Sequence, residues 1–338
     1  YTAIQHIVGG DIRTTPYITK ILTVLALRDK EFDRKIPTAP QFPYEPYTGA
    51  SIAEPIAGVY RGVAILDIKA MYHSNVALHN IGHETLCEDG VDCGNGVRFS
   101  KDKPSLLLRQ MNKMTELREE YKASLREAET DEERRKYEAL QFASKTLVAS
   151  LYGAAGDSKY GLYHPKVAAA ITYTSRETLR RLREECEGEG YEVLYSHTDS
   201  AFVQTPNPDE TLELVAKINR RMHPIVTEFE RWCASMVFKA KNRYAATVKW
   251  TDGEYHEIPQ VYIKGIEVKQ KRMFPVMKEV MGLTLTALLS DGGLEKQTTT
   301  KICQRINEIL SGDIDSNQLC MMGKLERNLS SYKVLSGS

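Results

Sequence analysis

Apolar positions along the chain follow two rhythms. Residues 62–68, Gly-Val-Ala-Ile-Leu-Asp-Ile, form a short run rich in β-branched side chains, the pattern of a buried strand, and it ends at Asp67. Residues from about 104 to 129 are rich in Leu, Met, Glu, Lys and Arg with apolar positions at helical spacing, and Pro104 suits a first helical turn. A polar break at 130–133 is followed by a second helical run through Tyr152, closed by Gly153 and Gly156, so the two runs predict an antiparallel helical hairpin. A helix over 165–187 leads into two β-rich runs, 191–195 and 201–203, around a polar tip with Asp199 at its turn. Residues 208–236 read as helix, 243–250 and 255–263 as strands, and most of 273–335 as helix. Near the amino end, 19–27 reads as a helix followed by an irregular approach punctuated by prolines. Together these elements predict an α+β chain.

Composition narrows the class without naming a chemistry. A length of 338 residues, 42% apolar and 27% charged, suffices for one large or two to three smaller units with real cores. No run of about 18 apolar residues is present, and the first residues lack the basic-then-apolar layout of a secretory signal. The expectation is an intracellular protein with no membrane partner, cytoplasmic in a prokaryote or virus and nuclear in a eukaryote. The six cysteines are scattered without a CxxC pair, which points to reduced thiols. His83, Cys87 and Cys93 lie close in sequence but lack a fourth ligand, so a plain loop is the better reading.

Net charge is zero, yet charge is segregated. Lys239, Lys241, Arg243 and Lys249 occur with no acid between Trp232 and Trp250, and Lys264, Lys269, Lys271 and Arg272 follow with Glu267 alone. Glu184, Glu185, Glu187 and Glu189 cluster at a helix end and read as a solvated face.

Asp67 and Asp199 both stand where backbone pairing stops, so their side chains can reach a shared ion. Phosphoryl or nucleotidyl transfer uses divalent cations held by such hard oxygen ligands. Two unrelated turn aspartates would look the same. Lys145, Ala149 and Tyr152 fall at i, i+4 and i+7 on one helix face, and Arg118 and Lys122 at i, i+4 on the partner helix. Folded as a hairpin, these faces can present their bases to one polyphosphate or simply solvate the helices.

The motifs and their order supply specificity. Asp67-Ile-Lys-Ala-Met-Tyr72-His-Ser74, with Asn80-Ile-Gly-His-Glu-Thr85-Leu86 downstream, resembles the first polymerase motif of the family B (polymerase alpha-like) DNA polymerases. The segment from Lys145 to Gly153 is similar to the second, Lys-x-x-x-Asn-Ser-x-Tyr-Gly, and Tyr195-Ser-His-Thr198-Asp199-Ser200 to the third, Tyr-Gly-Asp-Thr-Asp-Ser. Lys241-Asn-Arg243-Tyr244 resembles the Lys-Lys-Arg-Tyr element, and Lys264-Gly-Ile-Glu267 the start of the element leading into the thumb.

The resemblance implies a right-hand polymerase core, with an antiparallel palm sheet, helical-hairpin fingers and a helical partial thumb. Residues 1–100 and 158–265 would form the palm, 101–157 the fingers and 266–338 the partial thumb. Asp67 and Asp199 would be catalytic and, with the Ile68 carbonyl, would ligate two Mg2+ ions, for which Mn2+ could substitute. Tyr72, Arg118, Lys122, Lys145 and Tyr152 would bind the incoming dNTP, with the Tyr72 ring excluding a 2′ hydroxyl. Lys241, Arg243, Tyr244 and Lys264 would hold primer–template DNA. Accessory replication subunits would supply missing domains, and no acidic exonuclease motif precedes Gly49, which predicts no proofreading in this chain.

Several positions depart from the pattern. His197 stands where the third motif has its first aspartate, Ala149 replaces an Asn, Asn242 a Lys and His73 a Pro, while Gln270-Lys271-Arg272 follows Arg-Arg-Asp loosely. An imidazole is a poor magnesium ligand, so weakened activity or a shift toward manganese is expected. The alternatives are a catalytically impaired scaffold of a replication complex and an unrelated metal-dependent nuclease or nucleotide-binding protein.

Overall fold

A computed structural model describes residues 2–8, 25, 28–29, 42–159, 163–270, 272–290 and 296–321. In chain order the elements are helix α1 (Thr2–Val8), strand β1 (Gly58–Ile68), α2 (Met71–His79), β2 (Leu86–Asp92), β3 (Arg98–Phe99), α3 (Leu106–Glu127), α4 (Asp131–Ala155) and α5 (Pro165–Gly188). There follow β4 (Val193–His197), β5 (Ser200–Gln204), α6 (Pro208–Met222), β6 (Thr227–Ala240), β7 (Arg243–Thr251), β8 (Glu254–Lys264), α7 (Pro275–Leu289) and α8 (Lys296–Ser311).

Six strands form one sheet in the order β4-β5-β1-β6-β7-β8, every neighbouring pair antiparallel, and β2 and β3 form a small hairpin apart from it. Strand β1 is central, which is why Val63, Ala64, Ile65 and Leu66 are apolar without interruption and buried. The two-residue period divides them. Ala64, Leu66 and Ile68 face Leu179, Leu182 and Cys186 of α5 and Leu214, Ile218 and Met222 of α6. Val63 and Ile65 lie in a second cluster with Tyr195, Phe202, Met236 and Phe238. Asp67 shares the parity of Val63 and Ile65, so it projects from the face that α5 and α6 leave uncovered.

The helical hairpin α3–α4 begins at well-made caps. Ser105 accepts the N–H of Leu108 at 3.1 Å, so Pro104 lies just outside the helix rather than in its first turn. The polar stretch at 130–133 is the start of α4: Glu133 N–H donates to Thr130 Oγ1 at 3.2 Å and Thr130 N–H to Glu133 Oε2 at 3.2 Å, a reciprocal capping box. Helix α4 runs through Gly153 to Ala155, past the expected stop. Met111 and Met114 of α3 and Leu147 and Leu151 of α4 bury the base of the hairpin against Val167 and Ile171 of α5.

The other corrections have local causes. The helix expected over 208–236 stops at Met222, and residues 227–240 form β6. The alternation Thr227-Glu-Phe-Glu-Arg has period two, with Thr227 and Phe229 buried and Glu228 exposed, so it belongs to a strand. Glu185 and Glu189 are not merely solvated: Arg221 of α6 binds them at 3.2 and 2.6 Å, and Lys217 binds Glu189 at 2.9 Å, tying α6 to α5. Arg61 donates to the carbonyls of Leu289 at 3.3 Å and Ser290 at 2.7 Å, closing the end of α7 onto the sheet. Of the helix expected over 19–27 only Leu25 is described, and it is helical, while Lys271 and the expected helical residues from 322 onward lie outside the described residues.

Gly265, just after β8, has φ 65°, and a Cβ there would sit 2.0 Å from the Asn242 carbonyl oxygen. Left-handed backbone and contact with a main-chain atom act together, so Gly265→Ala is expected to lower stability by ~2–4 kcal/mol, read by denaturant unfolding. A loss below about 0.5 kcal/mol would show that the β6–β7 turn gives way freely.

Candidate active site

Antiparallel register brings the two aspartates together. Asp67 pairs with Ser200 of β5 on one side and Glu228 of β6 on the other. Strands β4 and β5 are joined by the two residues Thr198 and Asp199, with Thr198 in the left-handed region at φ 53°. The Ile68 N–H donates to the Asp199 carbonyl at 2.9 Å, which makes the third-motif turn a direct extension of β1. Ser200 Oγ lies 2.7 Å from Asp67 Oδ1 and 3.4 Å from Asp199 Oδ1 and donates its one proton to the nearer. A single hydroxyl therefore touches both carboxylates. Residues 51–53 clamp the outer side, with Thr198 N–H on Ser51 O at 2.9 Å and Ala53 N–H on Ser196 O at 3.0 Å.

Burial, and then the charge of Asp199, push the Asp67 carboxyl from its ordinary 3.8 up to about 6, with Glu230 and Glu228 adding to the rise and the Ser200 hydrogen bond opposing it. Glu228 and Glu230 were missed in the sequence because residues 208–236 read as helix; the two-residue alternation was the signal that places them beside β1. An acid whose folded pKa is raised holds its proton in the native state after the unfolded chain has released it. Its contribution is therefore lost as pH rises between 3.8 and about 6 and is unfavourable above that. Asp67→Asn is accordingly expected to raise the thermal midpoint at about pH 7.5 and to leave it unchanged near about pH 4. A fall at the higher pH would show that Asp67 is not under this repulsion.

Beside the acids lies an aromatic pair. Tyr72, in the first turn of α2, stacks on Tyr152 of α4 with ring centroids 4.3 Å apart and planes 10° from parallel. Burial and then the charge of Asp199 raise the Tyr72 phenol above its ordinary value. Tyr152 is raised as well, by burial and then by Tyr47. His73, in place of a proline, holds Asn112 of α3 at 2.7 Å and so ties α2 to the hairpin.

Lys145 and Ala149 are exposed on the Tyr152 face of α4. Arg118 is half-buried, and Lys122 pairs with Glu119 at 2.8 Å. Glu119 is lowered by Lys122 first.

At the β6–β7 turn Lys241 pairs with Glu54 at 2.9 Å, and Arg243, which opens β7, pairs with Glu267 at 2.7 Å, both bases at the surface. Tyr244, expected at the DNA backbone, is only 4% exposed and sits among Phe202, Phe238 and Tyr262, so it is a core ring rather than a DNA contact. Lys264 Nζ lies over that ring, 5.7 Å from its centroid. His197 is lowered by burial and then by Lys264, with Asp199 and the Asn242 side chain opposing.

The donor set fits magnesium: a carboxylate near the end of β1 and one in the β4–β5 turn, whose mutual repulsion a cation would relieve. Among the described residues no group of three or more His, Cys, Asp or Glu side chains is placed to hold a metal. No helix among the described residues is long and apolar enough to cross a membrane.

An antiparallel sheet with paired acids at its centre and a helical hairpin above them is the fold of a polymerase core. The chain shares it with the family B DNA polymerase of Pyrobaculum calidifontis, at a TM-score of 0.67 and 22% identity, over 98% of this chain and 44% of that one. The family model for DNA polymerase family B matches residues 18–337, and the chain belongs to that family. Its relatives include a DNA polymerase of Pyrococcus glycovorans, 27% identical over 321 residues that cover 91% of this chain and 39% of the relative. Another is the DNA polymerase delta catalytic subunit of Plasmodium falciparum, 27% identical over 315 residues, 83% of this chain and 28% of the relative. The chain thus spans less than half the length of these relatives.

Proposed function

We propose that this chain is the polymerising core of a template-directed DNA polymerase, adding deoxynucleotides to a primer 3′ end. The observation that carries the reading is the Ser200 hydroxyl in reach of both Asp67 and Asp199, with the Tyr72–Tyr152 stack alongside. Family membership and the polymerase names of the relatives support it.

In this reading residues 1–100 and 158–265 are the palm, 101–157 the fingers and 266–338 part of the thumb. Asp67 and Asp199, with Ile68 at the end of β1, would hold two magnesium ions. Such ions, when bound, activate the primer hydroxyl and neutralise the triphosphate. Arg118 and Lys145 reach for the phosphates from the hairpin, and Lys122 joins them by exchanging Glu119 for a phosphate oxygen. Lys241, Arg243 and Lys264 meet the primer–template backbone, the first two by releasing Glu54 and Glu267. Tyr244 supports this surface from below by packing under Lys264. Accessory replication subunits are further partners in this reading.

One observation favours a second reading, an impaired polymerase-like scaffold: the position before Thr198 carries a half-buried imidazole in place of a carboxylate. Primer extension with each dNTP, in magnesium and in manganese, separates the two. Templated growth of the primer supports the polymerase, growth in neither metal supports the scaffold, and shortening of the primer points to a nuclease. Magnesium is also expected to raise the thermal midpoint above about pH 6 and not at about pH 4, because the ion binds deprotonated carboxylates.

A further inference from the structure

The turn that carries Asp199 is held against its own preference. Thr198 sits at φ 53°, a backbone that a β-branched residue adopts only where its surroundings impose it. Main-chain bonds impose it from two sides. On the inner side the Ile68 N–H reaches the Asp199 carbonyl, and on the outer side the Thr198 N–H reaches Ser51 O, both at 2.9 Å. The Ala53 N–H on Ser196 O at 3.0 Å and a bridge between Ile52 and His197 complete the outer contact.

The inner support belongs to the central strand, but the outer one does not share that rigidity. Residues 43–51 form no helix or strand and are largely exposed, so their place depends on what neighbouring elements offer their backbone. The Glu45 N–H donates to the hydroxyl of the buried Tyr163 at 3.3 Å. Tyr47 Oη lies against Gly156, just past α4, where a Cβ would approach it to 2.5 Å. Arg176, half-buried on α5, donates through Nη1 to Thr48 O at 2.5 Å and to Gly49 O at 2.8 Å. These last bonds are charge-assisted, and Gly49 lies two residues before Ser51.

We propose that residues 45–53 are a strap across the outer side of the site and that Arg176 is a positioning residue, which holds the strap so that Ser51 fixes the turn bearing Asp199. This rests on the polymerase reading above. The influence passes through main chain: guanidinium to the carbonyls of residues 48 and 49, Ser51 carbonyl to Thr198 N–H, and Thr198 to its neighbour Asp199. With the guanidinium gone, the strap lifts and Thr198 relaxes toward an ordinary backbone, carrying the Asp199 carboxylate out of register with Asp67. Misplacement of a reacting group by about an ångström costs turnover steeply, whereas ground-state binding of the nucleotide suffers less.

The test replaces Arg176 with Met, which keeps an aliphatic stem and removes every donor, and with Lys, which keeps charge and donors. The readouts are kcat and KM for dNTP in primer extension and, independently of activity, hydrogen exchange of the Thr198 and Ala53 amides. Arg176→Met is expected to lower kcat about twentyfold with KM moving less than about threefold, and to speed exchange of both amides at least about tenfold while the amides of β1 keep their protection. Arg176→Lys is expected to recover most of the lost kcat and protection. Gly156→Ala pushes on Tyr47 from the other end of the strap and is expected to speed exchange of the same two amides with Arg176 intact, so it carries the test should Arg176→Met not fold. An unchanged kcat or unchanged exchange in Arg176→Met, a loss confined to KM, or unmoved exchange in Gly156→Ala overturns the proposal. Failure of the polymerase reading looks different, because the wild type then extends no primer while exchange still reports whether Arg176 holds the turn through the strap.

Discussion

Replacing Asp199 with alanine is expected to lower primer extension on the order of a thousandfold, about 4 kcal/mol of barrier, with the fold intact. The reasoning separates main chain from side chain. What Asp199 gives to the architecture is its carbonyl, which accepts the Ile68 N–H at 2.9 Å, and alanine keeps it. What it gives to the site is a carboxylate beside Asp67, and alanine removes it. Loss of that charge also lets Asp67 fall back toward an ordinary carboxylate pKa, since Asp199 is the second cause of its rise after burial. The variant should therefore unfold no earlier than wild type at neutral pH while extending almost nothing. Extension within about tenfold of wild type would remove Asp199 from the chemistry and with it the proposed use of the site.

The second large effect concerns the choice of sugar. Tyr72→Ala is expected to cut discrimination against ribonucleotides about a hundredfold, measured as the ratio of kcat/KM for dNTP and rNTP. The ring is held in place: it stacks on Tyr152 at 4.3 Å and is half-buried near Asp199, so it cannot swing aside to admit a hydroxyl at little cost. Tyr72→Phe keeps ring and stack and is expected to keep the selectivity. Unchanged discrimination in the alanine variant would reassign Tyr72 to packing between α2 and α4.

Much of this geometry was legible in the chain, for physical reasons that differ from element to element. Val-Ala-Ile-Leu is apolar without alternation because β1 is covered on both faces, so the strand bearing Asp67 could be read directly. The tip bearing Asp199 was legible because two β-rich runs flank it so closely. Strand β6 was not, since Glu228, Glu230 and Arg231 continue the charged composition of α6 past Met222 and mask a change of period from helical to two-residue. Hiding that change hid Glu228 and Glu230, whose charges bear on Asp67. Tyr244 went wrong in the opposite direction: its neighbours are basic and exposed, but its own parity on β7 turns it into the aromatic core. Local composition marks a surface, whereas strand parity decides which side chains reach it.

The link from Ile68 to Asp199 has one more consequence. Because a peptide N–H and a peptide carbonyl join the two acid-bearing segments, their separation is set by main-chain dimensions that no side-chain replacement alters. Drift at 73, 149, 197 or 242 can then change the surroundings of the two carboxylates without breaking the main-chain link that holds their segments together.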